Sequence, residues 1–157
     1  MPIQLLRLSL PQLQAQLADA ALTAPAATLP PHVLQRAVDL LQAGGQPLWC
    51  APCLMVRTLD GLVVGACGFK GPPRAGVVEI GYAVEPAHQG QGLAKAAVRA
   101  LLAEARGSAE APDVCAAISP DNAASLKVAQ ALGFRFTGWL VDAEGERLMC
   151  WRIASQS

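Results

Sequence analysis

The sequence predicts one mixed α/β (α+β) domain over residues 1–157, with a central sheet of about seven strands and helices on both faces. Three observations carry this. Two stretches in the first third repeat apolar residues at helical spacing. From Cys53 onward, short apolar runs are separated by Gly, Pro, Asp and Asn, as strands and turns require. Two of those runs lead through turn residues into further helical stretches. One is residues 77–105, which read as strand, glycine-rich turn and helix. The predicted order is β-α-α-β-β-β-α-β-α-β-β.

Residues 3–8 are a mixed apolar run and the expected first strand. Ser9 before Leu10-Pro11 marks a helix start, and Leu10, Leu13, Leu17 and Ala21 recur at helical steps. Residues 23–31, rich in Ala and Pro, are a connection. A second helix begins near Pro31, sets Val33, Leu34, Ala37, Val38 and Leu41 on one face, and ends at Gly44-Gly45. Residues 53–58 and 62–69 are antiparallel strands around Leu59-Asp60-Gly61, a hairpin signal. Gly65 and Gly68 in the second indicate close approach or a bulge. Residues 70–76, with Pro72-Pro73, are a loop. Val77–Val84 suits a buried strand, and Pro86, which cannot donate to a ladder, marks its end. After Gly90 and Gly92 a helix places Leu93, Ala97, Ala100, Leu101 and Glu104 at three- and four-residue steps, with Lys95, Arg99 and Arg106 as solvated charges. Asp113–Ile118 is another strand. Ser119-Pro120-Asp121-Asn122 caps a short helix over 123–132, which Gly133 stops. Residues 134–141 and 147–153 are strands joined by the hairpin loop 142–146, and residues 154–157 are a loose tail.

Hydrophobic residues make up 53% of the chain and charged ones 15%, the balance of a globular domain with a real core. With 12 basic and 12 acidic side chains the formal net charge is zero and no basic patch stands out, which speaks against nucleic acid. No apolar run has membrane-spanning length, and the first residues lack the form of a signal peptide. An intracellular, cytoplasmic protein without membrane partners is expected. The five cysteines, Cys50, Cys53, Cys67, Cys115 and Cys150, are an odd number that fits reduced thiols better than a disulfide framework. C-A-P-C at residues 50–53 resembles a redox or zinc half-site. It lacks further ligands at paired spacing, however, and Cys53 leads into an apolar strand instead of a helix. No metal is expected.

The glycine-rich turn is the chemical signal. Gly90 and Gly92 let backbone approach a ligand, and the following helix turns its free N–H groups and positive dipole end to the same place. Phosphate or pyrophosphate is the natural guest. A Walker loop fails because Leu93-Ala94 follow Gly92 where lysine and a hydroxyl residue are needed. A dinucleotide fingerprint fails because Lys95 stands where the third glycine belongs, and because hairpins flank the unit. Gln89-Gly90-Gln91-Gly92-Leu93-Ala94 instead matches Q-x-x-G-x-A, and the chain resembles the GNAT superfamily of N-acetyltransferases, in which this loop holds the pyrophosphate of acetyl-CoA. V-E-I-G-Y-A-V before the loop and D-N-A-A-S-L-K-V-A-Q-A-L-G-F-R-F-T-G after it resemble the branch containing the ribosomal-protein N-terminal (alanine/serine) acetyltransferases and many small-molecule amine acetyltransferases. The similarity runs over about residues 49–153; the N-terminal third matches only in its pattern of elements.

The resemblance implies that two strands splay apart around a pantetheine arm held by backbone of Tyr82, Ala83 and Val84. It implies that the N–H groups of Gln89, Gly90, Gln91, Gly92, Leu93 and Ala94 hold the pyrophosphate without a metal, and that Asn122 and Ser125 face the cofactor. Asn122 also reads as a plain helix cap and Ser125 as a small helical residue. Acceptor amines must be neutral to attack, and α-amino groups and lysines titrate at about 7.7–8.0 and about 10.4. A base is therefore useful. Glu79 is the candidate: it shares a strand face with Gly81 and Ala83, which leave space beside it, and partial burial would raise its pKa. A structural ion pair is the competing reading. The tyrosine that many relatives carry four residues before Gly-Phe is Ala129 here, so water, Ser125 or the attacking amine is left to protonate the leaving thiolate. Tyr82, the one tyrosine, reads as core; His88 beside the loop reads as a phosphate or solvent partner. The two early helices and the last hairpin are expected to line the acceptor pocket, with Trp49, Trp139 and Trp151 as candidates. The expected activity is acetyl transfer to a primary amine, on a peptide N-terminus or a small molecule, by direct attack in a ternary complex. A covalent relay through Cys115 or Cys150 lacks a neighbouring histidine. A non-catalytic acyl-CoA sensor is the alternative, and the resemblance also allows a homodimer.

Overall fold

The computed structural model describes residues 3–19 and 29–155. Ala21, the connection over 23–28 and the end of the tail lie outside the described residues. In chain order the elements are β1 (Ile3–Arg7), α1 (Leu10–Ala18), α2 (Pro31–Gln42), α3 (Pro47–Cys50), β2 (Cys53–Arg57), β3 (Val63–Phe69) and β4 (Val77–Val84). There follow a 3-10 turn (Pro86–His88), α4 (Leu93–Gly107), β5 (Asp113–Ile118), α5 (Ala123–Ala131), β6 (Arg135–Val141) and β7 (Arg147–Ile153).

Local chemistry explains most boundaries. Ser9 Oγ accepts from Gln12 N at 3.3 Å and Gln12 Oε1 accepts from Ser9 N at 2.8 Å, a capping box that starts α1. Pro31 opens α2 at a position that needs no N–H. Gly44, at φ +91°, ends it. Asp60-Gly61 turns β2 into β3, with Gly61 at φ +72°. Two short additions to the expected order are the 3-10 turn and α3, a single turn that carries Trp49 edge-on against Phe69 at 4.8 Å. Other boundaries move by one to three residues, the ordinary disagreement at element ends.

The strands form one seven-stranded mixed sheet in the order β1-β2-β3-β4-β5-β7-β6. Neighbours run antiparallel except β4 and β5, which are parallel. Helices cover both faces. On one, α4 lays Leu93, Ala97, Val98 and Leu101 on Val78, Ile80 and Val114. On the other, α1 and α2 bring Leu13, Leu34, Ala37 and Val38 onto Leu54 and Ala66. Each fully buried Leu or Val contributes about 1.5–3 kcal/mol of transfer free energy. Arg7 ties β1 to α4 through Glu104 at 2.8 Å, so Glu104 is an ion-pair partner on the helix stripe. Among the described residues no helix is long and apolar enough to cross a membrane.

One feature of the sheet positions the site. β4 and β5 are in register over only three pairs, Val77↔Asp113, Val78↔Val114 and Glu79↔Cys115. Beyond them β4 continues along β3 as far as Val84, and β5 continues along β7 as far as Ile118. The sheet therefore opens between Ile80–Val84 and the end of β5, the splay that the resemblance implied.

Candidate functional site

The alternation of main-chain direction decides what the opening offers. Glu79 O accepts from Lys70 N and Glu85 N donates to Val64 O, both at 2.8 Å, so odd-numbered residues of β4 turn their polar groups to β3. Even-numbered residues turn theirs the other way, and at Tyr82 and Val84 this is where β5 has left. Gln89 Nε2 donates to Val84 O at 3.1 Å and draws the loop back over the strand end. In that loop Gly90 and Gly92 stand at φ +80° and +75°, and a Cβ built on either meets nothing within 4 Å. Left-handed backbone facing open space is what a glycine supplies and a bulkier residue resists. Gly92 is the N-cap of α4, so the N–H groups of Leu93, Ala94 and Lys95 have no acceptor within the helix.

A groove of about 830 Å³ follows this edge. It is lined by Tyr82, Ala83 and Val84 of β4, by Gln89, Gly90 and Gly92 of the loop, by Leu93 and Ala94 of α4, and by Asn122 and Ser125 at the start of α5. These are ten of the eleven residues assigned to cofactor binding from sequence. Gln91 turns its side chain to solvent and is not on the groove wall; the expectation for it concerns its backbone N–H in the loop between the two glycines. His88 is present as expected. Sequence reasoning missed Lys95 and Lys127, two cations on the groove wall. The signal for Lys95 was its place in the first turn after the glycines, where a cation faces whatever the free amides bind. The residues fit a phosphate-bearing thioester such as acetyl-CoA: unpaired helix amides, an open glycine cradle and two lysines together suit a pyrophosphate.

Asn122 caps α5, its Oδ1 accepting from Ser125 N at 3.1 Å, and this leaves its Nδ2 as a donor on the groove. Tyr82 is half-buried and packs against the core, with its phenol close to the Ser125 side chain. Burial pushes the Tyr82 phenol above its usual pKa, with the nearby Ser125 side chain opposing. Ala129 is buried, so no phenol reaches the groove from that position of α5.

Glu79 differs from expectation. Its side chain is 39% exposed, and its Oε2 accepts from Lys70 Nζ at 3.0 Å. The space expected beside it is taken by the lysine stem, since a Cβ on Gly81 would stand 3.0 Å from Lys70 Cε. It lies outside the large groove, on the opposite face of β4 from Val78 and Ile80.

That opposite face carries a second cavity, of about 260 Å³, walled by α2, β3 and β4. It meets the groove at Tyr82 and Ala83. Neither α1 nor the β6–β7 hairpin lines it, contrary to expectation; the helical wall is α2, with Cys50 of α3 beside it. The tryptophans are elsewhere. Trp49 and Trp151 are buried, and Trp139 is 47% exposed beneath the Arg147 guanidinium, 4.3 Å away. The thiols are not activated either. Burial pushes Cys115 and Cys150 up, and raises Cys53 of the C-A-P-C pair to about 11.

Comparisons with known proteins agree with this geometry. The model of the acetyltransferase (GNAT) domain matches residues 9–135. The uncharacterized N-acetyltransferase p20 of Bacillus licheniformis is 35% identical over 83 residues, 52% of this chain and 47% of that protein, so the match spans about half of its length. The ribosomal-protein-S5-alanine acetyltransferase of Vibrio fischeri superposes with a TM-score of 0.64 at 21% identity, over 81% of this chain and 71% of that one. The yncA protein of Salmonella typhimurium, solved with acetyl-CoA, superposes with a TM-score of 0.66 at 22% identity over 100% and 96%. At these identities the structures speak for the fold alone, but the domain match covers most of the chain and includes the loop, the opened strand and the capped helix α5. The chain belongs to the GNAT family of acetyltransferases.

Proposed function

We propose that this protein transfers an acetyl group from acetyl-CoA to a primary amine by direct attack in a ternary complex. The observation that carries it is the meeting of two cavities at Tyr82–Ala83, beside a strand edge whose polar groups have lost their sheet partner. Bound acetyl-CoA supplies the thioester: a C–N bond forms, the C–S bond breaks with its electron pair on sulfur, the amine loses a proton and sulfur gains one. The N–H groups of Gln89 to Ala94 hold the pyrophosphate, with Lys95 and Lys127 adding charge. Main-chain groups of Tyr82 and Val84 hold the pantetheine arm, and a strand N–H polarises the thioester carbonyl. Asn122 Nδ2 adds a donor. Glu79, through water, takes the amine proton with the carboxylate oxygen that Lys70 leaves free. Ser125 Oγ, on the groove wall, relays a proton from water to sulfur.

The acceptor is a protein N-terminus or a small molecule. The ribosomal-protein-alanine activity of a structural relative supports the first; the small size of the second cavity supports the other. A homodimer is supported by β6, an edge strand with exposed Phe136, Trp139, Leu140 and Val141. A monomer at every concentration in sedimentation overturns it. The alternative reading, a non-catalytic acyl-CoA sensor, is favoured by Ala129 and by the Lys70–Glu79 pair. Thiol release from acetyl-CoA across a panel of amines and peptides decides between them. Robust turnover excludes the sensor; tight acetyl-CoA binding without turnover of any amine excludes the enzyme.

A further inference from the structure

The cavity on the acceptor side of β4 has an apolar body and one uncommitted cation. Val33, Ala37 and Leu40 of α2 and Ala66 and Ala83 of the sheet form its walls. Its volume of about 260 Å³ is below the range of about 300–1,000 Å³ typical of drug-sized ligands, so its guest is small. Two cations line it. Lys70 is committed to Glu79 at 3.0 Å. Arg36, half-buried on α2, has no ion-pair partner among the described residues. A guanidinium at an apolar wall is a fork for a planar anion, which it grips through two parallel N–H bonds. With Arg36 and Lys70 against Glu79, the local balance is positive, which repels a polycation. The cavity meets the cofactor groove at Tyr82–Ala83, so a guest anchored at Arg36 has its amine turned toward that junction.

We propose that this cavity takes a free amino acid, a small amine that carries its own carboxylate on an apolar body, with the carboxylate on Arg36 and the amine toward Tyr82–Ala83. It rests on the acetyltransferase reading and narrows its acceptor from primary amines in general. The bond changes are those already given: the amine nitrogen gains the acetyl carbon and loses a proton, and sulfur leaves and gains one. A peptide N-terminus offers Arg36 a neutral carbonyl in place of a carboxylate and brings a chain too long for the space. A polyamine brings the wrong charge.

The test uses the intact protein and two readouts. Turnover with acetyl-CoA is compared for leucine, methionine, 5-aminovalerate, leucinamide, spermidine and an alanine-initiated peptide. Binding of leucine, 5-aminovalerate and leucinamide to the coenzyme A-loaded protein is followed by calorimetry. We expect kcat/KM and affinity for the best amino carboxylate to exceed those for leucinamide by about tenfold or more, the worth of a charge-assisted hydrogen bond. Arg36→Gln should erase that preference and Arg36→Lys restore part of it, with acetyl-CoA affinity unchanged as the control for folding. Leucinamide, spermidine or the peptide performing as well as the amino carboxylates, or a preference that survives Arg36→Gln, overturns the inference while leaving the acetyltransferase reading in place. Arg36-dependent binding of an amino carboxylate without turnover keeps the site and overturns that reading instead.

Discussion

Lys70 and Glu79 meet because the β3–β4 register, followed one step past Phe69↔Ile80, sets them opposite each other, and because Gly81 leaves room for the lysine stem. A half-exposed pair of this kind contributes about 0–1 kcal/mol to stability. That small figure makes the two readings of Glu79 separable. As a base, Glu79→Gln should lower kcat by about 10²–10⁴-fold and remove the acidic limb of the pH–rate profile, with acetyl-CoA affinity unchanged. As a mere partner of Lys70, Glu79→Gln and Lys70→Met would each lower the melting temperature slightly and leave kcat alone. Glu79 was legible in the sequence from strand alternation. Its lysine was not, since a loop of unknown conformation separates the two and pairing register cannot be read from either strand alone. Buried thiols give a second test at this scale. Cys53 is raised to about 11 by burial, and burial also pushes up Cys67, its cross-strand partner. In the unfolded chain a thiol titrates near about 8.5, so the folded state keeps its proton longer. The stability Cys53 contributes is therefore intact below about pH 8.5 and is lost as pH climbs toward about 11, by up to about 1.4 kcal/mol per pH unit. Urea midpoints should fall across that window, and less steeply in Cys53→Ala; identical slopes would remove Cys53 from the alkaline transition.

At the scale of elements, the loop–helix unit and the capped helix α5 each do two jobs with one residue. Asn122 accepts from Ser125 N through Oδ1 and keeps Nδ2 for the groove. Asn122→Ser preserves a good cap, whereas Asn122→Ala loses about 1 kcal/mol of stability. Both should raise the KM for acetyl-CoA if the amide holds the cofactor. Should Asn122→Ser bind acetyl-CoA as tightly as the parent, the residue is a cap and nothing more. The elements themselves were largely legible because their signals are local: the Ser9–Gln12 box, Asp60-Gly61, and Gly133 at φ +91°. α3 was not, because its four residues are too few to show a period. Gln91 was assigned to the site for its backbone N–H, so its exposed side chain, in a turn between two left-handed glycines, leaves that expectation as it stood.

For the molecule as a whole, the order of elements along the chain and its two hairpins followed from turn chemistry, but the opening between β4 and β5 did not follow from composition. Ile80, Tyr82 and Val84 are as apolar as the paired Val78, and only the resemblance of the loop pointed to a gap. The gap makes the sheet two halves, β1–β4 and β5–β7–β6, joined in register by three residue pairs. A ligand lying along the groove touches β4 and α4 on one side and α5, which follows β5, on the other. It should therefore stabilise the molecule across its weakest seam. At a hundred times its Kd, acetyl-CoA is expected to add about 2.7 kcal/mol, which at about 2–4 °C per kcal/mol raises Tm by about 5–11 °C. Amide exchange should slow at Tyr82 and Val84, whose groups face the gap, more than at Gly81 and Ala83, which already bond to β3. Gly92→Val, with a β-branched side chain at φ +75° in the open cradle, should abolish both effects. A shift that persists in Gly92→Val, or exchange that slows equally at all four residues, would place the cofactor somewhere other than this opening.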